Sequence, residues 1–287
     1  MVSLSGCGKT SVEPVFTCPE TAYKTQSIIG GTFTMGTPQQ YPEEILRSVT
    51  VSDFDIDIHE VTNSQFATFV DETGYVTTAE KPQVGFDVPG AAVFMPPSIG
   101  HPNWWRFVEG ANWKNPEGPK SNIQQQGNYP VVQVSFEDAL AYARWAKRDL
   151  PTEAQWEFAA KANSETRYVW GDVRSPDGKE MANTWQGAFP IQNTNEDGFD
   201  LRAPVGCYPA NSFGLHDMIG NVWEWTKSET GQSSEATIYA IKGGSYLCAE
   251  NYCARYRSAA RQFQEADLPT NHIGFRTVSP SNPTPIR

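Results

Sequence analysis

Apolar and polar positions alternate with period two where the folded part of the chain begins. Ile28 to Met35 sets apolar side chains against small or polar ones around Gly30-Gly31, the pattern of a strand entered through a turn. Ser48 to Thr62 continues as a longer strand region. The period then changes: Phe66, Phe69 and Val70 stand at i, i+3 and i+4, which predicts a helix docked by one face. Thr62 with Gln65 three residues later predicts its capping box, its body runs to about Asp71, and Gly74 ends it. Residues 80 to 128 show little periodicity and predict a long irregular segment, packed down by Trp104, Trp105 and Trp113. Pro130 to Ala162 predicts a short strand and two helices, capped by Ser135 and by Thr152 with Gln155; Ala139, Ala143, Ala146 and Trp145 suit a helix held close to its neighbours. Turn-forming Asn, Asp, Gly and Pro with isolated acids fill 183 to 225. The fold class these patterns predict is α/β (α+β) with low regular secondary structure.

Composition agrees. Only 19% of the 287 residues are charged, while 9 Trp, 11 Tyr and 15 Phe accompany 23 Gly and 21 Pro, the profile of a loop-rich globular chain pinned by aromatic packing. The net charge of −11, with no lysine or arginine tract, excludes a nucleic-acid binder on charge grounds. Acidic surface of this kind attracts an arginine-bearing peptide or simply confers solubility. No apolar run approaches the roughly 20 residues of a membrane span.

The N-terminus carries Gly8-Lys9-Thr10, but a phosphate-binding loop would need its first glycine at Ser3, so that reading fails. Leu4-Ser5-Gly6-Cys7 resembles a bacterial lipobox, which would make Cys7 a lipid anchor and place the protein outside the cytoplasm. Residues 1–27 are then a tether, 28–278 the folded domain, and the Pro-rich 279–287 a disordered tail. Cys18 and Cys207 could bridge in an exported protein, and their spacing leaves this open.

The chemistry points to KGGSYLCAENYCARYRSAAR, from Lys242 to Arg261. Cys248 and Cys253 lie five positions apart, a spacing that neither a helix nor a strand brings onto one face, so a bend must bring them together. Ala249-Glu250-Asn251 can make it, and Gly243-Gly244 permits close backbone approach or positive φ. A close thiol pair is a structural disulfide, a redox couple, or a pair of ligands for a soft metal such as Cu(I). Zinc would want four ligands, and no second cysteine pair or His-x3-5-His run supplies them.

This stretch resembles the active-site segment of the formylglycine-generating enzymes, the sulfatase-modifying factor family, with Lys242 where arginine is usual. The phrases GGTFTMGT, HEVTNSQFATFVDETGY, WWRFVEGANWKNPEGPK, LPTEAQWEFAAKA and NHIGFR resemble the same family, so the likeness spans roughly Ile28 to Val278. It implies a C-type-lectin-like fold and a copper-dependent oxidase. Such an enzyme uses O2 to convert a cysteine, in an extended Cys-x-Pro-x-Arg segment of a client sulfatase, to Cα-formylglycine. It implies that Cys248 and Cys253 hold Cu(I), with Ser245, Trp225 and Tyr252 lining the pocket, and that residues 80 to 128 form part of a substrate groove. It further implies two structural Ca2+ sites. One would use the side chains of Asn183 and Asp197 with the carbonyls of Thr184 and Phe199; the other would use Glu224 with the carbonyls of Ile219, Gly220 and Val222. The arginines at 255, 257 and 261 support either local folding or the thiolates. His272 stands where some members have asparagine, and a buried, hydrogen-bonded role suits it. Alternatives from the same scaffold are an oxidase of another substrate, as in siderophore maturation, or a non-catalytic lectin-like module with a Cys248–Cys253 disulfide.

Overall fold

The computed structural model describes Cys18 and residues 23–38, 41–83, 85–233 and 236–281. The lipobox, the tether apart from Cys18 and residues 23–27, and the last six residues lie outside the described part. Regular structure is sparse, as the patterning predicts. β1 (Thr25–Ile28), β4 (Phe54–Asp57) and β11 (Val278–Pro280) form one antiparallel sheet in the order β1-β4-β11. The domain therefore takes in residues on both sides of the predicted boundaries, with Ser279 and Pro280 paired to Asp55 and Phe54. The predicted long strand region divides at Ser52-Asp53: β3 (Arg47–Val51) pairs with β2 (Gly31–Met35), while β4 joins the other sheet.

The helices follow their sequence signals. α1 (Asn63–Thr73) has a complete Thr62–Gln65 capping box and ends at Gly74, which takes the left-handed conformation that glycine tolerates best. α2 (Phe136–Trp145) and α3 (Glu153–Lys161) begin at Ser135 and Thr152, each with a complete box. The predicted short strand before α2 is not formed. Instead Val131 donates its N–H to Val61, and the segment packs as irregular backbone over the core. The supposedly irregular 80 to 128 contains a hairpin, β5 (Gly90–Phe94) with β6 (Trp105–Glu109).

A four-stranded sheet carries the cysteine segment. β7 (Trp223–Gln232), β8 (Thr237–Lys242), β9 (Arg261–Glu265) and the short β10 (Ile273–Gly274) run in the order β10-β7-β8-β9. Lys242 and Arg261 are partners in the β8–β9 register, so residues 243–260 form one long excursion from the foot of a hairpin. Both ends of that excursion are clamped by α3. Lys242 is fully buried with its Nζ 2.8 Å from Glu157, and Arg261 Nε lies 2.9 Å from Glu153. Breaking one partner of such a buried pair costs about 3–5 kcal/mol. A disulfide joins Cys18 to Cys207, 189 positions apart, and closes a loop that leaves the four-stranded sheet and the cysteine segment outside it.

Candidate active site

The excursion turns back on itself where the sequence requires a bend. Gly243 and Gly244 both have positive φ, and a Cβ on Gly244 would meet the Arg255 carbonyl and Tyr256 Cα at 2.9 Å. The close approach and the unusual backbone are thus both used. Cys253 then donates its N–H to the Ala249 carbonyl at 2.9 Å, a single turn that folds the second cysteine back toward the first. The sulfurs of Cys248 and Cys253 lie 3.9 Å apart and both thiols are free. A disulfide needs about 2.05 Å, so the disulfide-bonded alternative is corrected: the pair is an open dithiol.

The environment splits the two thiols. Cys248 is buried, and its S–H is held by Cys253 and by the lack of solvent, which pushes its pKa well up. Cys253 is pushed down, chiefly by accepting from Cys248 and secondarily by the Arg255 guanidinium. One sulfur therefore keeps its proton while the other is poised as thiolate. Ser245, fully buried, donates its backbone N–H to Cys248 Sγ at 3.4 Å and accepts from Leu247 through its hydroxyl. Trp225 is also fully buried, in the same apolar cluster as Cys248, with its indole N–H on the Val134 carbonyl. Tyr252 behaves differently: it is more than half exposed, stacked on Phe189 at 4.6 Å and edge-on to Trp104 at 5.8 Å.

An aromatic surface thus adjoins the sulfurs. Trp105 packs on His272 at 4.8 Å and on Phe94, which in turn contacts Trp185 and Phe189. Trp185 lies alongside the cysteine segment, donating its backbone N–H to the Cys248 carbonyl at 3.1 Å. Trp105 also lines a cleft of about 280 Å³ with Phe86, Phe107, Glu265, Asp267 and Leu268. Neither cysteine lines this cleft. His272 is buried with Nδ1 2.9 Å from the Thr270 hydroxyl, the expected role, and burial lowers its pKa to about 3.

The oxygen-rich loops divide. Asn183 has a buried Oδ1 without a hydrogen-bond partner, and burial raises Asp197 to about 6, the mark of a carboxylate lacking a counter-charge. Asp197 Oδ2 and the Thr184 carbonyl are bridged by the Gln186 amide, and Asp197 Oδ1 accepts from Phe199 N–H. This donor set fits an oxygen-liganded dication. Glu224 is placed otherwise. Both its oxygens accept from Arg276, at 2.7 and 2.8 Å, and one accepts from Trp156 as well, so its charge is balanced without a metal. The four expected ligands, Glu224 with the carbonyls of Ile219, Gly220 and Val222, thus include a carboxylate shared with Arg276. Among the described residues no three His, Cys, Asp or Glu side chains converge as a metal cage.

Sequence reasoning named Cys248, Cys253, Ser245 and Trp225; direct contacts join Ser245 and the two cysteines, Trp225 lies in the apolar cluster that holds Cys248, and Tyr252 is exposed beside Phe189 and Trp104. It did not name Trp185 or Phe189, because no local signal ties residues so distant in the chain to the cysteine turn.

A small, irregular α/β domain presenting an open dithiol beside an aromatic surface defines a class before any comparison. A family model described as the sulfatase-modifying factor enzyme 1-like domain matches residues 12–280, and the chain belongs to that family. It is 47% identical to the formylglycine-generating enzyme of Mycobacterium tuberculosis, over 87% of this chain and 95% of that protein. It is 42% identical to the Mus musculus formylglycine-generating enzyme, over 91% and 76%. Among solved structures, PvdO from Pseudomonas aeruginosa superposes with a TM-score of 0.65 at 23% identity, over 88% of this chain and 93% of that one, a likeness of fold.

Proposed function

We propose that this protein is a copper-dependent formylglycine-generating oxidase, acting on a cysteine in an extended segment of a client sulfatase. The observation that carries the reading is the pair of free sulfurs 3.9 Å apart, next in the chain to an aromatic cluster whose exposed members are Tyr252 and Trp105. Two metal–sulfur bonds of about 2.3 Å, the length found for zinc thiolates, span such a gap. The donors are soft and only two, which suits a monovalent copper ion and leaves room for a third thiolate. When bound, copper would supply the one-electron reduction of O2 that removing a hydrogen from an unactivated Cβ demands.

The chain's own residues do the rest. The hydrogen bond from Cys248 and the Arg255 guanidinium favour the thiolate of Cys253, and the proton on Cys248 is the one to leave when both become ligands. The Ser245 N–H fixes Cys248 Sγ from behind. Trp225 closes the interior side against water. Tyr252, Trp104 and Phe189 give the incoming segment an apolar bed, and Glu265 and Asp267 in the neighbouring cleft suit its arginine. The loop from Asn183 to Asp197 delivers Trp185 and Phe189 to that bed, so a structural calcium at Asn183, Thr184, Asp197 and Phe199 would brace the groove rather than join the chemistry. The test is a Cys-x-Pro-x-Arg peptide incubated with copper-loaded protein under air. Loss of one thiol and gain of one aldehyde support the reading. No aldehyde, with the peptide shown to bind, contradicts it.

A further inference from the structure

We propose that Arg255 is a positioning residue for the sulfur pair, held against Cys253 by Glu43 and Tyr41 so that its guanidinium balances the charge gathered there. The inference rests on the reading of the pair as a metal-holding site. Three arginines follow the cysteines, and the fold gives each a different duty. Arg257, almost fully buried, is held by Glu44 at 3.0 and 2.5 Å. Arg261 lies against Glu153 at the foot of the excursion. Among the described residues neither contacts a cysteine sulfur.

Arg255 donates to Glu43 from Nε at 3.1 Å and from Nη2 at 2.5 Å, and its guanidinium carbon sits 3.9 Å from the centre of the Tyr41 ring. These contacts occupy one edge and one face of the planar group. The remaining Nη1 is left 3.9 Å from Cys253 Sγ. The holders come from the loop between β2 and β3, 212 positions away in the chain, and residues 41–44 together grip Arg255 and Arg257.

Charge bookkeeping says why one fixed cation belongs here. Two thiolates around a monovalent ion leave one negative charge, and a visiting thiolate would leave two, at a mostly buried place where uncompensated charge is costly. Arginine suits the task because its rigid fork can serve a carboxylate on one side and a sulfur on the other, which a lysine cannot do with the same geometry.

The experiment is Cu(I) competition against a chelator of known affinity, without O2 and without peptide, on the full chain and three variants. Arg255→Gln should bind Cu(I) about tenfold more weakly, the order expected for one unit charge near 4 Å once solvent screening of a partly exposed group is allowed for. Arg255→Lys, which keeps the charge without the fork, should recover part of that loss. Arg144→Gln, which removes the same charge from the exposed face of α2, should bind as the wild type does. If Arg255→Gln melts well below the wild type, Arg255→Met, which keeps the stem over Tyr41, replaces it. Wild-type affinity in Arg255→Gln, or no recovery by lysine, overturns the proposal. Failure of the wild type itself to bind Cu(I) overturns the site reading instead, so the two failures are distinguishable.

Discussion

Glu224→Gln separates an ion-paired carboxylate from a metal ligand. Glu224 and Arg276 are both fully buried, and Arg276 also donates to the carbonyls of Asp57 and His216, so it has no route to solvent. Glutamine keeps the shape and can still accept from Trp156, but it leaves a guanidinium without its counter-ion. Breaking a buried pair in this way costs about 3–5 kcal/mol. One neighbour tempers the loss. Burial raises Glu60 well above the usual carboxylate range and it feels the Arg276 charge, so it can ionise in place of Glu224. We therefore expect about 3 kcal/mol, the lower end of that range. Urea denaturation at pH 7.5 measures it, run once with a chelator and once with millimolar Ca2+. Because arginine carries the balancing charge, the loss should be the same in both. A loss below about 1 kcal/mol, or one seen only with calcium, would refute the reasoning.

Three further outcomes are expected. His272 has its pKa lowered from 6.5 to about 3 by burial, so its neutral form contributes stability that is complete above pH 6.5 and is lost as pH falls. Relative to His272→Asn, the wild type should lose about 2 kcal/mol between pH 7.5 and 5, and parallel stability curves would contradict this. Millimolar Ca2+ should raise the melting temperature of the wild type but not of Asp197→Asn; equal rises would remove calcium from the Asn183 to Asp197 loop. Tyr252→Ala should weaken binding of a Cys-to-Ser client peptide about tenfold with little change in melting temperature, since an exposed stacked ring contributes to the bed and not to the core; unchanged peptide affinity would place the segment elsewhere.

Much of the fold was legible because its signals are local. The capping residues Thr62, Ser135 and Thr152 each start the helix they predict, and Gly74 ends α1 for a backbone reason visible in one residue. The turn between Cys248 and Cys253 was legible from spacing, since only a bend closes a five-residue gap. Strand assignments were harder. Alternation in Ser48 to Thr62 cannot reveal that β3 and β4 serve different sheets, and the β5–β6 hairpin hides in a stretch whose apolar residues face both a core and a groove. The pairing of Cys18 with Cys207 depends on a separation of 189 residues, and the hold of Glu43 on Arg255 on one of 212; no local pattern encodes either. For the same reason the pairing of Glu224 with Arg276 was not legible: the two lie 52 positions apart in the chain.

The most direct measurement is the sulfur coordination of the Cu(I)-loaded protein by X-ray absorption, with and without client peptide, under anaerobic conditions. Two sulfur ligands alone, rising to three when the peptide cysteine is added and lost in Cys253→Ala, are predicted. Cu(I) affinity no greater than that of a protein lacking both thiols, or a sulfur count indifferent to the peptide, would contradict it.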